Sequence, residues 1–284
     1  YGFNAILGRY NKVDTGTPGS RETGFSSIVG GQNTVQGAFQ STVLGESNKV
    51  KDIYQSQVVG QLNDVKDSEF TSVGGYNDKV SDANQVSVFG YSNVVDKGNG
   101  NGAVHETVVG NTNSVHGESN AVFGVGSMVT GNMNMVASRG SVVTGNDNAV
   151  IQGGIQASTV SGDRNIVAGG MNGIGGDYNI VSTQMSNIAG DHNIAIGERA
   201  AVTRDNTVTI GERNSATVTD ETDYSGTDIV ELGTSNTATN AANAYQLGRE
   251  NTVTDNNLAN ADVYPHSMAL NLGRNNEITS EGIN

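Results

Sequence analysis

Three aspartates at equal spacing have the clearest potential for chemistry in this sequence. Asp163, Asp177 and Asp191 each follow a glycine and recur every 14 residues. If each interval is one coil of a repeating fold, the carboxylates stack about 5 Å apart along one edge, where like charges repel. A bound calcium ion, or a neighbour such as Arg164, would relieve that repulsion. A solvated edge without metal is the simpler interpretation, because the glycine–aspartate nonapeptide of calcium-binding rolls is absent.

Polar insertions carry a second group of candidates, which would bind a ligand. Tyr224 and Asp223 belong to one acidic insertion, and Tyr264 and His266 belong to another. Rigid scaffolds often present binding residues on loops, so these four are the candidate ligand-binding residues. A solubilising or inter-subunit loop would have the same composition.

Other polar and aromatic residues give little support for catalysis. Tyr76 and Tyr91 lie 15 residues apart and would form an exposed aromatic ladder, or simply pack between coils. The chain has no cysteine, so no thiol nucleophile is present. Its histidines are scattered: His105, His116, His192 and His266. We expect no enzymatic activity and no cofactor.

A seven-residue phrase, Val-x-Gly-x-x-Asn-x-Val, must position these residues, because it recurs along the chain. So short a unit cannot bury its own apolar face and must stack on its neighbours. A coiled coil also repeats every seven residues, but glycine costs about 1 kcal/mol inside a helix. Valine-rich segments interrupted by Gly-x-x-Asn are typical of short strands and turns. The sequence therefore predicts an all-β solenoid.

The asparagine of the phrase has a predicted structural role. It precedes the next valine by two residues, so it shares the inward face of that valine near the corner of the coil. We expect its amide to bond turn backbone and to stack on the asparagine of the next coil.

The spacing of the glycines predicts the length of one coil. From Gly30 to Gly90 they recur every 15 residues, and from Gly162 to Gly190 every 14. We interpret one coil as two heptads, each a strand and a turn, stacked about 4.8 Å from the next coil. The whole chain, 1–284, is expected to form one β-roll domain. Four longer polar segments are expected to leave the roll as loops: 14–24, 96–102, 219–228 and 255–266.

An asymmetry between the two heptads predicts an interface. The residue between the inward valine and the glycine points outward, since side chains alternate along a strand. In the second heptad it is usually polar, as at Gln36, Lys51 and Lys66. In the first heptad it is usually apolar, and the candidate interface residues are Leu44, Val59, Phe89, Val109 and Phe123. Such a continuous stripe indicates a protein interface, and the simplest partner is another copy of the chain.

Charge and composition exclude several classes of protein. The net charge of −14 argues against binding to nucleic acid or to an anionic membrane surface. No apolar run approaches the roughly 18 residues that cross a bilayer. The sequence begins inside a repeat, so we expect it to be a fragment of a longer protein.

Two segments carry a family resemblance: 193–200, Asn-Ile-Ala-Ile-Gly-Glu-Arg-Ala, and 207–214, Thr-Val-Thr-Ile-Gly-Glu-Arg-Asn. They closely resemble the head repeat of trimeric autotransporter adhesins, the YadA-like family of Gram-negative surface proteins. The resemblance covers nearly the whole chain except the insertions. It implies a left-handed parallel β-roll, a homotrimer, and display at the bacterial cell surface above an outer-membrane anchor outside this sequence. Frequent asparagines, 15-residue coils and long insertions depart from the family pattern, so no binding residue is transferred.

Several functions remain open at this point. The leading hypothesis is an adhesin head that attaches to host matrix, to a host receptor protein or glycan, or to another bacterium. The alternative is a passive structural spacer that presents another binding domain. A calcium-binding β-roll is the third hypothesis. Hexapeptide acyltransferases also form trimers of left-handed β-helices, but their apolar residue recurs every six positions, not every seven.

Overall fold

The computed structural model is all-β in the residues that it describes, which are 4–14, 26–37, 40–51, 55–66, 70–81, 85–97, 105–152, 157–217, 228–241, 243–255 and 269–280. Every regular element in these ranges is a β-strand, and none is a helix. The chain divides into two compact units, Tyr1–Thr144 and Gly145–Asn284, and each is a parallel β-solenoid. The expected solenoid fold is thus confirmed, whereas the single-domain expectation stays a prediction.

The strands of the first unit alternate between two sheets, called sheet A and sheet B. Each strand pairs in parallel with the next strand of its own sheet. Sheet A contains β1 (Asn4–Arg9), β3 (Ser26–Gly31), β5 (Thr42–Glu46), β7 (Gln57–Gln61), β9 (Ser72–Tyr76), β11 (Gln85–Tyr91), β13 (His105–Asn111), β15 (Ala121–Val125) and β17 (Met135–Arg139). Sheet B contains β2 (Lys12–Asp14), β4 (Thr34–Gln36), β6 (Lys49–Val50), β8 (Asp64–Val65), β10 (Lys79–Ser81), β12 (Val94–Lys97), β14 (Ser114–Gly117), β16 (Met128–Thr130) and β18 (Val142–Thr144).

The second unit follows the same plan, with its own strands of sheet A and sheet B in parallel pairs. Its sheet A strands are β19 (Ala149–Ile151), β21 (Ile166–Ala168), β23 (Ile180–Ser182), β25 (Ile194–Gly197), β27 (Thr207–Glu212), β29 (Ile229–Thr234), β31 (Ala244–Arg249) and β33 (Ala269–Arg274). Its sheet B strands are β20 (Thr159–Ser161), β22 (Gly173–Gly175), β24 (Asn187–Ala189), β26 (Ala200–Val202), β28 (Asn214–Thr217), β30 (Thr237–Thr239), β32 (Thr252–Asp255) and β34 (Glu277–Ser280).

The strand register continues across the four predicted insertions. The strands that flank them pair directly: Asn4 with Ser26, Gln85 with His105, Thr207 with Ile229, and Ala244 with Ala269. Apart from their end residues, the segments 14–24, 96–102, 219–228 and 255–266 lie outside the described residues. Ala149 also pairs with Ile166, a longer step that the sequence analysis did not predict.

The repeated glycine is a steric requirement of coil stacking. Gly45 has φ of 129°, in the region that favours glycine. A Cβ added there would lie 1.8 Å from the carbonyl oxygen of Gly60 in the next coil. Gly30 has the same relation to Gly45, with a Cβ-to-oxygen distance of 1.8 Å. The close approach of successive coils therefore leaves no room for a side chain.

The asparagine of the repeat forms ladders between coils, which confirms the structural role predicted for it. The main-chain N–H of Asn48 donates to Asn33 Oδ1 at 3.1 Å, and Asn48 Nδ2 donates to the Gly60 carbonyl at 2.9 Å. In the second unit, the main-chain N–H of Asn179 donates to Asn165 Oδ1 at 3.0 Å. Buried amides at the corners thus satisfy turn backbone that would otherwise lack partners.

Valine fills the interior of the first unit. Both sheets contribute one inward valine per coil along most of this unit, and full burial of each stabilises the fold by about 1.5–3 kcal/mol. On sheet A they are Val43, Val58, Val73, Val88, Val108, Val122 and Val136, and on sheet B they are Val35, Val50, Val65, Val80, Val95, Val115, Val129 and Val143.

Candidate interaction surface

The five predicted interface residues lie together on the outer face of sheet A in the first unit. Leu44 pairs with Val59, and Phe89 pairs with Val109, which pairs in turn with Phe123. Between 37% and 46% of each of these side chains is exposed. They belong to a continuous column, the first-unit column: Leu7, Val29, Leu44, Val59, Gly74, Phe89, Val109, Phe123 and Ala137.

The glycine in this column does not leave a gap. Gly74 pairs with Val59 on one side and with Phe89 on the other. A Cβ added to Gly74 would lie 2.8 Å from Cδ1 of Phe89, so the phenyl ring lies over the glycine. The absence of a side chain at Gly74 makes room for the ring, and the apolar surface stays continuous.

On sheet B of the first unit, the outward position after the inward valine is polar, as predicted for the second heptads. The outward position before that valine is apolar and exposed at Val94, Met128 and Val142. Asp14 pairs with Gln36, and Ser81, Asp96, His116 and Thr130 follow one another in register. His116 Nδ1 lies 3.7 Å from Asp96 Oδ2, and both side chains are about half exposed. The outward position after the inward valine is thus mostly apolar on sheet A and polar on sheet B.

The second unit has a wider apolar surface than the sequence analysis predicted. Two outward positions of its sheet A are apolar in most strands, and together they form the second-unit face. The column next to the glycines is Ile151, Ala168, Ser182, Ile196, Ile210, Leu232, Leu247 and Leu272. The neighbouring column is Ile166, Ile180, Ile194, Val208, Val230, Tyr245 and Leu270.

The interior of the second unit changes from apolar to polar along the chain. The inward column between the two apolar columns is Val150, Val167, Val181, Ala195, Thr209, Glu231, Gln246 and Asn271. The last four side chains are at most 2% exposed. The expectation that valine lines every coil is therefore wrong here. Ala216 and Ala238, which are small and buried on sheet B, leave room for the longer polar side chains.

Two buried glutamates have strongly perturbed acidity. Burial raises the pKa of Glu231 to about 8, although main-chain hydrogen-bond donors at Ala238 and Ser215 favour the charged form. Burial also raises the pKa of Glu106 in the first unit to about 8, against the effect of hydrogen bonds from Asn120. Asn120 donates to Glu106 from its main-chain N–H at 3.0 Å and from Nδ2 at 3.2 Å. Desolvation outweighs hydrogen bonding at both sites.

The predicted aspartate edge is held by main-chain donors. The N–H of Asp163 donates to Asp177 Oδ1, and the N–H of Asp177 donates to Asp191 Oδ1, both at 2.7 Å. Asp191 donates to Asp205 in the same way, so the edge includes an aspartate that the sequence analysis missed. In the described ranges, no group of three histidine, cysteine or acidic residues could hold a metal ion. The expectation of a solvated edge without metal, with calcium as its alternative, stays a prediction.

Aromatic side chains form short stacks on the surface. The rings of Tyr76 and Tyr91 lie 5.2 Å apart and nearly parallel, an arrangement that agrees with both predicted alternatives, an exposed ladder and packing between coils. The sequence analysis missed a second stack, in which the rings of Tyr178 and His192 lie 4.9 Å apart. The Arg164 guanidinium lies 5.1 Å from the Tyr178 ring centroid and donates to its hydroxyl. Tyr76, Tyr91 and Tyr178 are between 38% and 51% exposed, so these stacks belong to the surface.

The predicted ligand-binding residues of the insertions, Asp223, Tyr224, Tyr264 and His266, lie outside the described residues. No helix in the part of the chain that the structure describes is long and apolar enough to span a membrane. No protein-family model matches the chain, and a search of curated proteins finds none that matches it. Among the described residues, the two apolar surfaces of sheet A are thus the main features that indicate a function.

Proposed function

We propose that this chain is the head of a bacterial surface adhesin that works as a homotrimer. The observation that carries the proposal is the apolar surface on the outer face of sheet A, which lies in register from coil to coil in each unit. Soluble monomers rarely expose large contiguous apolar surfaces. A second copy of the chain is the simplest cover, since it offers a surface of the same repeat.

The second-unit face gives this association its strongest physical reason. Its last strands place Thr209, Glu231 and Gln246 inside while Ile210, Leu232 and Leu247 point outward. In an isolated chain this arrangement is unfavourable twice, because polar groups lose water and apolar groups remain in it. Covering the outer face with another subunit removes the second cost. The inverted pattern is therefore best explained by association.

Adhesion follows from repetition in this proposal. A patch that recurs in each coil, and again in each subunit, lets weak contacts sum to a useful avidity. The net charge of −14 favours basic or mixed patches on a host matrix protein, a host receptor or glycan, or another bacterium. The finer features also belong to the proposal: a left-handed roll, coils of two heptads, and a place at the cell surface through an outer-membrane anchor in other regions of the protein.

Binding assays with a matched pair of variants test this function. Purified chain is applied to immobilised matrix proteins, epithelial cells and neighbouring bacteria, and we expect saturable binding to at least one of them that weakens with salt. Phe89→Asp places a charge in the first-unit column and should reduce both trimer content and binding, whereas Lys66→Asp on the polar sheet should preserve the trimer. No binding to any surface would favour the spacer hypothesis, and a stable monomer in light scattering would contradict the interface.

A further inference from the structure

Three buried polar side chains meet inside the second unit without satisfying one another. Glu231 on β29 pairs with Thr209 on β27 and with Gln246 on β31, and each is at most 1% exposed. Gln246 Nε2 donates to Glu231 Oε1 at 3.2 Å. Within the described part of the chain, Glu231 Oε2, Gln246 Oε1 and Thr209 Oγ1 have no hydrogen-bond partner.

Of these three atoms only Thr209 Oγ1 carries a hydrogen, and it makes no hydrogen bond to either of the other two. An ionised glutamate and an amide oxygen are both acceptors, so they cannot satisfy each other. A buried acceptor without a donor loses its hydration and gains nothing in exchange. A proton on Glu231 Oε2 turns this acceptor into a hydroxyl that can donate to a neighbouring oxygen, while Oε1 still accepts from Gln246.

Among the described residues, the strands packed against Glu231 provide no inward charge that would stabilise its ionised form. On β27 the acidic residue Glu212 is exposed, and on β31 Arg249 is exposed while Tyr245 lies on the outer face. Strands β28 and β30 contain no titratable residue. The buried Arg204, at the corner before β27, donates to the main-chain carbonyl of Ala241. The main-chain N–H groups of Ala238 and Ser215 lie near Glu231 and lower its pKa, but within the described residues neither makes a hydrogen bond to Oε2.

We propose that Glu231, Gln246 and Thr209 form a buried site that binds one proton and holds it at neutral pH. The site lies on the inner side of the strands whose outer side forms the second-unit face. Loss of the proton leaves a charge inside the coil and loosens β27, β29 and β31. This site is independent of the proposed adhesin function, and either can fail without the other.

The sign of the pH dependence follows from the direction of the shift. The pKa of Glu231 rises from an ordinary value of 4.5 to about 8 in the fold. Between these values the folded chain keeps the proton and the unfolded chain loses it, so stability is greatest below the lower value and falls as pH rises. Above about pH 8 both states are ionised, and this contribution becomes constant. Over this window the unfolding constant should rise about ten-fold per pH unit for each such group.

The substitution Glu231→Gln distinguishes a proton-binding role of Glu231 from a purely structural one. Glutamine keeps the shape, cannot titrate, and brings a donor to the unpartnered oxygens. Between about pH 5 and pH 8, the free energy of unfolding of the variant should depend on pH less steeply than that of the parent, by the contribution of one proton. At pH 8 the variant should be at least as stable as the parent. Glu106→Gln is the matched control, because it also removes the contribution of one proton to the pH dependence of the free energy of unfolding. Unlike Glu231→Gln, it should destabilise the fold at low pH, because a donor of Asn120 then faces an amide nitrogen.

Infrared spectroscopy of the folded chain keeps the proposal testable even if a variant folds poorly. The carbonyl band of a protonated carboxylic acid should be present about two pH units below the raised pKa, should fade around pH 8, and should lose one component in Glu231→Gln. Absence of this band in the parent chain, or an unchanged band in the variant, would overturn the proposal. So would stability that rises with sodium, potassium or calcium in the parent and not in Glu231→Gln, since a metal ion would then occupy the site.

Discussion

The two units use their sheet A strands in opposite ways. In the first unit, valines fill the interior, and one apolar column is exposed among mostly polar neighbours such as Thr42, Gln57 and Ser72. In the last strands of the second unit, the interior is polar at Glu231 and Gln246, and both outward positions are apolar. The repeat fixes the backbone in both units, whereas the choice of side chains decides which face of the sheet needs a partner.

The largest expected effect on the free energy of unfolding comes from substitution of the glycine at which successive coils stack, and it can be compared between the two units. Gly45→Ala in the first unit would drive a Cβ to 1.8 Å from the Gly60 oxygen at a φ of 129°. Strain and overpacking together should cost about 3–5 kcal/mol, measured by urea unfolding. Thr183 occupies a glycine slot of the second unit, and Thr183→Gly should cost only about 1 kcal/mol by removing its bond to Asn172. Equal costs would contradict the steric explanation.

The next largest effect compares the two apolar surfaces. Leu247→Asp places a charge in the second-unit face and should weaken association by about 1.5–3 kcal/mol per subunit from lost burial alone. Phe89→Asp in the narrower first-unit column should weaken it less. Sedimentation over a concentration series measures both, with Thr254→Asp on the polar sheet as the control. Dissociation of the Thr254→Asp variant would contradict the assignment of the interface to sheet A. A larger effect of Phe89→Asp than of Leu247→Asp would mean that the first-unit column forms the stronger interface.

The smallest effect concerns the aspartate edge of the second unit. Asp177→Asn keeps an Oδ1 acceptor for the main-chain N–H of Asp163 and removes one of the stacked charges. The change in the free energy of unfolding should stay within about 0.5 kcal/mol, because Asp177 is only partly buried and the acceptor for Asp163 is kept. EDTA and calcium should leave the melting temperature of both proteins unchanged. A rise of many degrees with calcium in the parent alone would show that this edge binds the ion.

The sequence predicts the solenoid and one of its outer faces because both depend on local periodicity. The position before glycine correctly places Leu232 and Leu247 outward. The same alternation places Glu231 and Gln246 inward, but the interpretation that valine lines the inside of the coil hides this consequence. A stricter use of the two-residue period finds the buried glutamate from the sequence alone.

Other features depend on contacts that spacing alone does not contain. Asp205 extends the aspartate edge, but Arg204 occupies the glycine slot before it and masks the repeat in the sequence. The pKa values of Glu106 and Glu231 follow from burial, which periodicity predicts only once each residue's face is known. The ring of Phe89 over Gly74 depends on a side-chain conformation, and no sequence pattern determines it.

Register pairing between consecutive coils also has a mechanical consequence. Among the described strands, β5 pairs only with β3 and β7, which belong to the preceding and the following coil. Contacts in such a solenoid are nearest-neighbour, so folding can start at any coil and propagate. A pulling force on one end of a unit would therefore meet one coil at a time. Stretching by atomic-force spectroscopy would release the chain in small successive steps. At the cell surface proposed above, this property would let the chain absorb shear without losing all of its structure at once.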